Sequence, residues 1–265
     1  MVKLLFFPFG VDIFCFGKKF LVYNLVGRNL ITKYRRSILG ILWTLASPLS
    51  MAIVYYFVFK IVLQVQQPYY IVLILGGVLP WTFFSQTIVE GTDSIVGGAG
   101  LLSKVPIPLP VFPFVGALTN LVTLFFSSPI LIGAALLSGA PIGPSIIMLP
   151  FCYLILFLIT YSISYTLGVA SVYLRDLRHV TAIVMQVWFY ATPVLYRQSM
   201  IPEKYRWILF VNPIGQIFAA FQTILTTGEW PDPITLGPSI IWAISLVTLV
   251  CLLHKYYFKE VVERI

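Results

Sequence analysis

The sequence predicts an all-α integral membrane protein: six transmembrane helices, an N-terminal amphipathic interface helix and a short re-entrant helical pair before the last span. Two observations predict that class. Apolar residues make up 59% of the chain and charged residues 10%, which leaves too little polar surface to solvate a globular domain of 265 residues. The apolar residues also fall in runs close to the about 20 residues a helix needs to cross a bilayer. Short loops separate the runs, so residues 1–265 read as a single transmembrane domain.

At the N-terminus, Lys3 and the apolar stretch 4–9 look like the start of a signal peptide. Pro8, Asp12, Lys18 and Lys19 follow without a small-residue cleavage site, so the segment reads as retained. Residues 18–36 are predicted to form the interface helix. Phe20, Tyr23, Val26, Gly27, Leu30, Ile31 and Tyr34 share one helical face, and Asn24, Arg28, Asn29, Thr32, Lys33, Arg35 and Arg36 share the other. Leu21, Val22 and Leu25 intrude on the polar face, which leaves open contact with a protein partner instead.

The spans follow at 38–59, 69–89, 114–137, 146–174, 180–196 and 236–253. The third and fourth make a hairpin, because their connection carries Gly139, Pro141, Gly143 and Pro144 and no charge. Between the second and third, residues 94–104 can form a short helix, after which Pro106, Pro108, Pro110 and Pro113 stiffen the chain. Between the fifth and last spans, 207–210 and 214–225 are apolar but too short to cross, and Asn212-Pro213 separates them. They read as a re-entrant pair over 207–225, with one distorted seventh span as the alternative.

Charge sets the expected orientation. Six spans put thirteen Lys and Arg on one side and only Lys60, Arg197, Lys204 and Arg206 on the other. The richer side, holding both termini, is expected to be cytoplasmic. The net charge of +8 thus serves topology, and no nucleic-acid partner is expected.

Residues for chemistry are missing where chemistry would need them. Residues 97–104 read Gly-Gly-Ala-Gly-Leu-Leu-Ser-Lys, which lacks the Gly-Lys-Ser/Thr end of a P-loop and follows an apolar helix instead of a strand. The predicted span interiors hold no Asp, Glu, Lys, Arg or His, which argues against ion coupling. Glu90, Asp93 and Asp176 fall at span margins, and His179 and His254 stand far apart in sequence. Cys15, Cys152 and Cys251 lack metal-ligand spacing. No catalytic residue, metal or cofactor is expected in this chain, and its energy must come from a partner.

A run of short motifs then carries a resemblance. In order they are Lys33-Tyr34-Arg35-Arg36-Ser37, Leu39-Gly40, Leu42-Trp43 with Pro48, Gly76 with Pro80-Trp81, Lys104-Val105, Arg175-Asp176-Leu177, Thr192-Pro193-Val194-Leu195-Tyr196, Ile201-Pro202-Glu203-Lys204 and Asn212-Pro213. Nearly end to end, the chain resembles the membrane subunits of polysaccharide-exporting ABC transporters. It looks closest to O-antigen exporters, with teichoic acid and capsule exporters as relatives.

The resemblance implies a channel-forming permease of the bacterial inner membrane that pairs with its own copy and with two copies of an ATPase, where ATP and magnesium are bound. It also implies that 207–225 form outer gate helices and that 94–104 form a coupling helix, with Leu101, Leu102 and Lys104 facing the ATPase. For a lipid-linked polysaccharide, Arg28, Lys33, Arg35 and Arg36 are candidate anchors for a lipid phosphate, because Arg pairs bidentately with phosphate oxygens. Topology and anionic lipid are the alternative use of the same charges. Tyr55, Phe59, Trp81 and Tyr190 are candidate channel-lining residues, since aromatic faces hold sugar C–H edges without trapping them. The competing readings are a drug or small-lipid exporter of the same superfamily and a membrane glycosyl- or acyltransferase.

Overall fold

The structure, a computed structural model, describes residues 12–34, 42–102 and 107–264. The stretch 4–9, Arg35, Arg36 and Lys104 lie outside the described residues. Every regular element among the described residues is helical. Four helices are long and apolar enough to cross a membrane: Tyr70–Gly97, Val111–Ser138, Pro144–Tyr173 and Leu236–Tyr257. The bent pair Glu203–Val211 and Gly215–Thr226 makes five if it counts as one span.

Helix α1 (Lys19–Tyr34) starts where Asp12 accepts the backbone N–H groups of Phe16 and Gly17, at 2.8 and 2.7 Å. Its packing divides the apolar residues into two sets, while Asn24, Arg28, Asn29, Thr32 and Lys33 of the predicted polar face stay exposed. Leu21, Val22 and Leu25, which break the polar stripe, pack with Val26 on the start of α5 (Val111–Ser138), against Val111 and Val115. Phe20, Tyr23 and Ile31 point outward instead. The protein partner open to those three residues is thus the chain itself. Ahead of α1, the Ile13 carbonyl accepts a hydrogen bond from Tyr161, deep in α6 (Leu149–Tyr173).

Helix α2 (Leu42–Tyr56) ends in a π-helical turn, Phe57–Val62. It packs on α3 (Tyr70–Gly97), the centre of the molecule, which also touches α5, α6, α7 (Leu177–Ala191) and α9 (Gly215–Thr226). The α3–α6 crossing is close because small residues face each other. A Cβ on Gly91 would collide with Ser164, and one on Gly168 would come within 2.8 Å of the Gly91 carbonyl. Ser164-x-x-x-Gly168 is thus the small-residue pattern that lets apolar helices approach closely.

Several elements depart from their predicted limits. Helix α3 runs past the predicted end of its span at 89 to Gly97, because Glu90 and Asp93 find partners on neighbouring segments. The helix predicted over 94–104 is split: its first residues complete α3, and a separate turn, α4 (Ala99–Leu102), follows Gly98. The ring of Phe112 fills the space a side chain at Gly98 would need. Helix α7 stops at Ala191, short of the predicted 196, since Thr192 precedes a proline and is forced into the extended region, φ −108° and ψ 141°. The last helix, α10 (Pro233–Arg264), runs past the predicted end of its span at 253, with the Arg264 guanidinium 4.7 Å from the Tyr173 ring.

A valine at Gly91 is expected to cost ~1–3 kcal/mol through overpacking, read as a lower unfolding midpoint of the purified protein in detergent. Burial, and after it the Asp12 carboxylate, push the Cys15 thiol up to about 12. Cys15, Cys152 and Cys251 are all buried free thiols. Native protein is therefore expected to resist maleimide even at about pH 9.5, since the thiolate is the reactive form; rapid labelling of Cys15 in folded protein would contradict the packing of α1.

Candidate functional site

Two polar features stand out from the apolar bundle, one at each end of α3. From Tyr70 to Glu90 that helix rises roughly 30 Å at 1.5 Å per residue, about the thickness of a bilayer's hydrocarbon core.

At the Glu90 end, Asn120 of α5 is buried and joins three helices. Its Nδ2 donates to Glu90 Oε2 at 2.8 Å and Thr87 Oγ1 at 3.2 Å, while Lys33 Nζ of α1 donates to its Oδ1 at 3.3 Å. Lys33 also lies 3.8 Å from Glu90 Oε1. Both charged side chains are partly exposed, so the pair itself contributes about 1 kcal/mol at most. The buried amide fixes the geometry instead. Nearby, Arg178 pairs with Asp93 at 2.9 Å and ties the start of α7 to the end of α3.

From Lys33 and Glu90 an open groove of about 680 Å³ runs between α2, α3 and α7. One wall is aromatic: Tyr55 stacks on Phe189 at 5.7 Å, and Trp81 meets Phe189 edge-on at 5.4 Å, with Tyr190 beside them. Ser47, Thr82, Ser85, Gln86 and Gln186 supply hydroxyl and amide groups along its length. The groove therefore offers flat apolar faces and neutral hydrogen-bonding groups, with charge only at one end.

At the Tyr70 end the chain leaves helix altogether between α7 and Gln198. Thr192, Pro193, Val194 and Leu195 are nevertheless buried, so their backbone polar groups need partners from protein. Gln222 of α9 uses both amide hydrogens for this, donating to the Pro193 carbonyl at 2.6 Å and the Tyr196 carbonyl at 2.9 Å. Tyr70 donates to the Leu195 carbonyl at 3.0 Å. Gly77 lets the segment lie against α3, since a Cβ there would collide with the Val194 carbonyl.

Beside this segment, α8 (Ile208–Val211) and α9 form the bent pair, turned by 107° at Asn212-Pro213. Asn212 accepts from Trp188 Nε1 at 3.1 Å and from the Ile214 backbone N–H at 3.2 Å, and donates to Thr192 Oγ1 at 2.9 Å. The bend is thus pinned to the end of α7. Trp242 of α10 donates to the Phe210 carbonyl at 3.1 Å and holds the other arm.

The structure brings Tyr55, Trp81 and Tyr190 together on the groove and puts Lys33 at its end. Phe59 packs instead toward Tyr70, 6.5 Å between ring centres, and is not on the groove. Arg28 is exposed on α1. Leu101 and Leu102 form part of α4. Sequence reasoning missed Asn120, Gln86, Gln186 and Gln222. Asn120 had a legible signal, as the sole amide side chain within 111–138. Among the described residues, no group of three or more His, Cys, Asp and Glu is placed to hold a metal ion.

Helices of membrane-crossing length with an aromatic and amide groove between them define a membrane protein shaped for translocation. The chain belongs to the ABC-2 type transporter family, whose profile matches residues 21–226. Two relatives are each described as the O-antigen export system permease protein RfbA. The one from Myxococcus xanthus is 32% identical over 214 residues, covering 80% of this chain and 82% of the relative. The one from Klebsiella pneumoniae is 28% identical over 211 residues, covering 78% and 81%.

Replacing Gln222 with leucine strands the buried Pro193 carbonyl and the half-buried Tyr196 carbonyl, and the first is expected to cost ~1–3 kcal/mol. The substitution should lower the unfolding midpoint more than Gln86→Leu, whose side chain faces the open groove. Equal midpoints for the two variants would show that the 192–197 segment is not held through Gln222.

Proposed function

We propose that the chain is the channel-forming permease of an ABC transporter that exports a lipid-linked polysaccharide of the O-antigen type across the bacterial inner membrane. A separate ATPase subunit, which binds ATP and magnesium, drives it. The similarity to O-antigen export permeases over about four-fifths of the chain carries this reading, and the groove gives it a physical basis. A drug carrier needs a closed pocket, whereas an open groove with repeated aromatic faces and neutral amides suits a polymer that must be held weakly and moved.

In this reading α2 with its π-helical end, and α7, join the four long helices as spans, and the bent pair is re-entrant. Both termini lie in the cytoplasm, in keeping with the Lys and Arg asymmetry. A groove open along one side is half a channel, and a second copy supplies the other half. Apolar residues exposed on α7, among them Val180, Ile183 and Val187, suit such a contact or the surrounding lipid.

The cargo's lipid phosphate meets Arg28, Lys33, Arg35 and Arg36 at the cytoplasmic mouth. Lys33 is held by Glu90 and Asn120, so an arriving phosphate competes with Glu90 for its ammonium group. That exchange loosens α1 from α3 at the end of the groove. Leu101, Leu102 and Lys104 receive the push of the ATPase, and the turn at Gly98 sets α4, which carries the two leucines, apart from the long α3.

Deleting the gene is expected to abolish surface polysaccharide while lipid-linked polymer accumulates inside, and the ATPase should copurify with the restored protein. Alanine at Tyr55 and Tyr190 together should lower export several-fold with normal assembly. Normal surface polymer in the deletion strain would overturn the proposal, and normal export by the double variant would remove these rings from the path.

A further inference from the structure

A second cavity, of about 350 Å³, lies at the Tyr70 end of the bundle, between the 192–199 segment and α9. Arg197 and Arg206 wall it, with Gln198, Gln222, Thr223 and Thr226 among its lining. We propose that this cavity is a binding site for a phosphate or diphosphate group, separate from the basic cluster near Lys33.

The argument begins with Arg197. Its Nη2 donates to the Thr226 hydroxyl at 2.8 Å, a neutral acceptor, and its Nε is buried without a hydrogen-bond partner. One nitrogen of this guanidinium has been taken from water without an acceptor, and the group as a whole has no carboxylate, an arrangement that an anion in the cavity completes. Arg206 is committed only weakly. Its Nε donates to the Ile201 carbonyl at 3.2 Å, and its Nη1 lies 3.6 Å from Glu203, whose side chain is 88% exposed and free to swing into solvent.

The hydroxyl groups point to the same class of ligand. Thr223, Thr226 and Thr227 donate to the carbonyls of Ala219, Gln222 and Thr223, so their hydrogens are already used. Gln222 spends both amide hydrogens on the 192–197 segment. The donors left over are the two guanidinium groups, the Gln198 amide and the Ser199 hydroxyl, so the ligand is an acceptor, and the two arginine charges favour an anion. Phosphate oxygens match paired guanidinium groups in charge and geometry.

Position adds a consequence. Arg197 is the last residue of the non-helical segment, and Thr226 is the last residue of α9. A ligand bridging them clamps that segment to the bent helix pair. The proposed export function enters only in naming the source of the phosphate as the cargo's lipid carrier; binding itself stands apart from it.

The test uses the full-length protein in lipid nanodiscs, with radiolabelled inorganic pyrophosphate and farnesyl pyrophosphate as probes and farnesol as the control. Saturable binding of pyrophosphate is expected, weakened roughly tenfold or more by Arg197→Gln, several-fold by Arg206→Gln, and retained largely by Arg206→Lys. Tighter binding of farnesyl pyrophosphate assigns the phosphate to a lipid carrier, and equal binding assigns it to a soluble diphosphate; either upholds the site. Should Arg197→Gln fail to fold, Arg206→Gln decides, because its side chain holds only an exposed carboxylate and one loop carbonyl. Unchanged affinity in the folded arginine variants overturns the proposal. Because this readout is binding and not polymer export, its failure leaves the exporter proposal standing.

Discussion

The structure depends on how six residues of non-helical backbone are satisfied inside an apolar bundle. After Ala191 the chain cannot continue as helix, because Pro193 lacks an N–H and pushes Thr192 out of the helical region. Gly77, against which Val194 lies, is seven residues or about 10 Å along α3 from Tyr70. Protein groups supply the partners: Gln222 and Tyr70 donate to carbonyls of the segment, and Asn212 donates to the Thr192 hydroxyl. Each comes from a different element, and each therefore ties that element to the same segment. The bend of the α8–α9 pair, the end of α7 and the position of Arg197 all follow from this one local problem.

The opposite end of α3 is organised by a different rule. Close approach of α3 to α6 is bought with side chains removed at Gly91 and Gly168, which gives van der Waals contact in place of a hydrophobic driving force that lipid does not provide. Just beside that crossing, Asn120 gathers Lys33, Thr87 and Glu90. The two ends thus differ in kind. One is a buried backbone network, expensive to open; the other is a partly exposed ion pair around a single amide, and a competing anion can open it at low cost.

Between them, the groove combines what either end lacks. Its aromatic rings are themselves packed, Trp81 against Phe84 and Phe189, and Phe84 against Trp188. Trp188 in turn donates to Asn212 at the bend. A continuous set of ring contacts therefore joins the groove wall to the α8–α9 pair. Movement of the bend cannot leave the wall unchanged, because close-packed rings move together or lose contact.

Much of this was legible in the residues alone. Composition named the solvent, apolar runs located the long helices, and Asn212-Pro213 marked the bend within a residue of where it falls, because helix formation and proline sterics are local. Tyr55, Trp81 and Tyr190 were legible as aromatic positions on neighbouring spans, yet nothing local separated them from Phe59, which turns to Tyr70 instead. Which apolar residues of α1 pack on the chain was left open for a related reason: in a membrane, apolar residues are as stable toward lipid as toward protein, so hydrophobicity does not say which side is inside. Tertiary structure alone decided those choices, along with the pairings of Asn120 and Gln222. The sequence by itself determined where the long helices lie and where the chain breaks at Asn212-Pro213; which polar group answers which carbonyl or charge depended on segments 20 to more than 100 residues apart coming together.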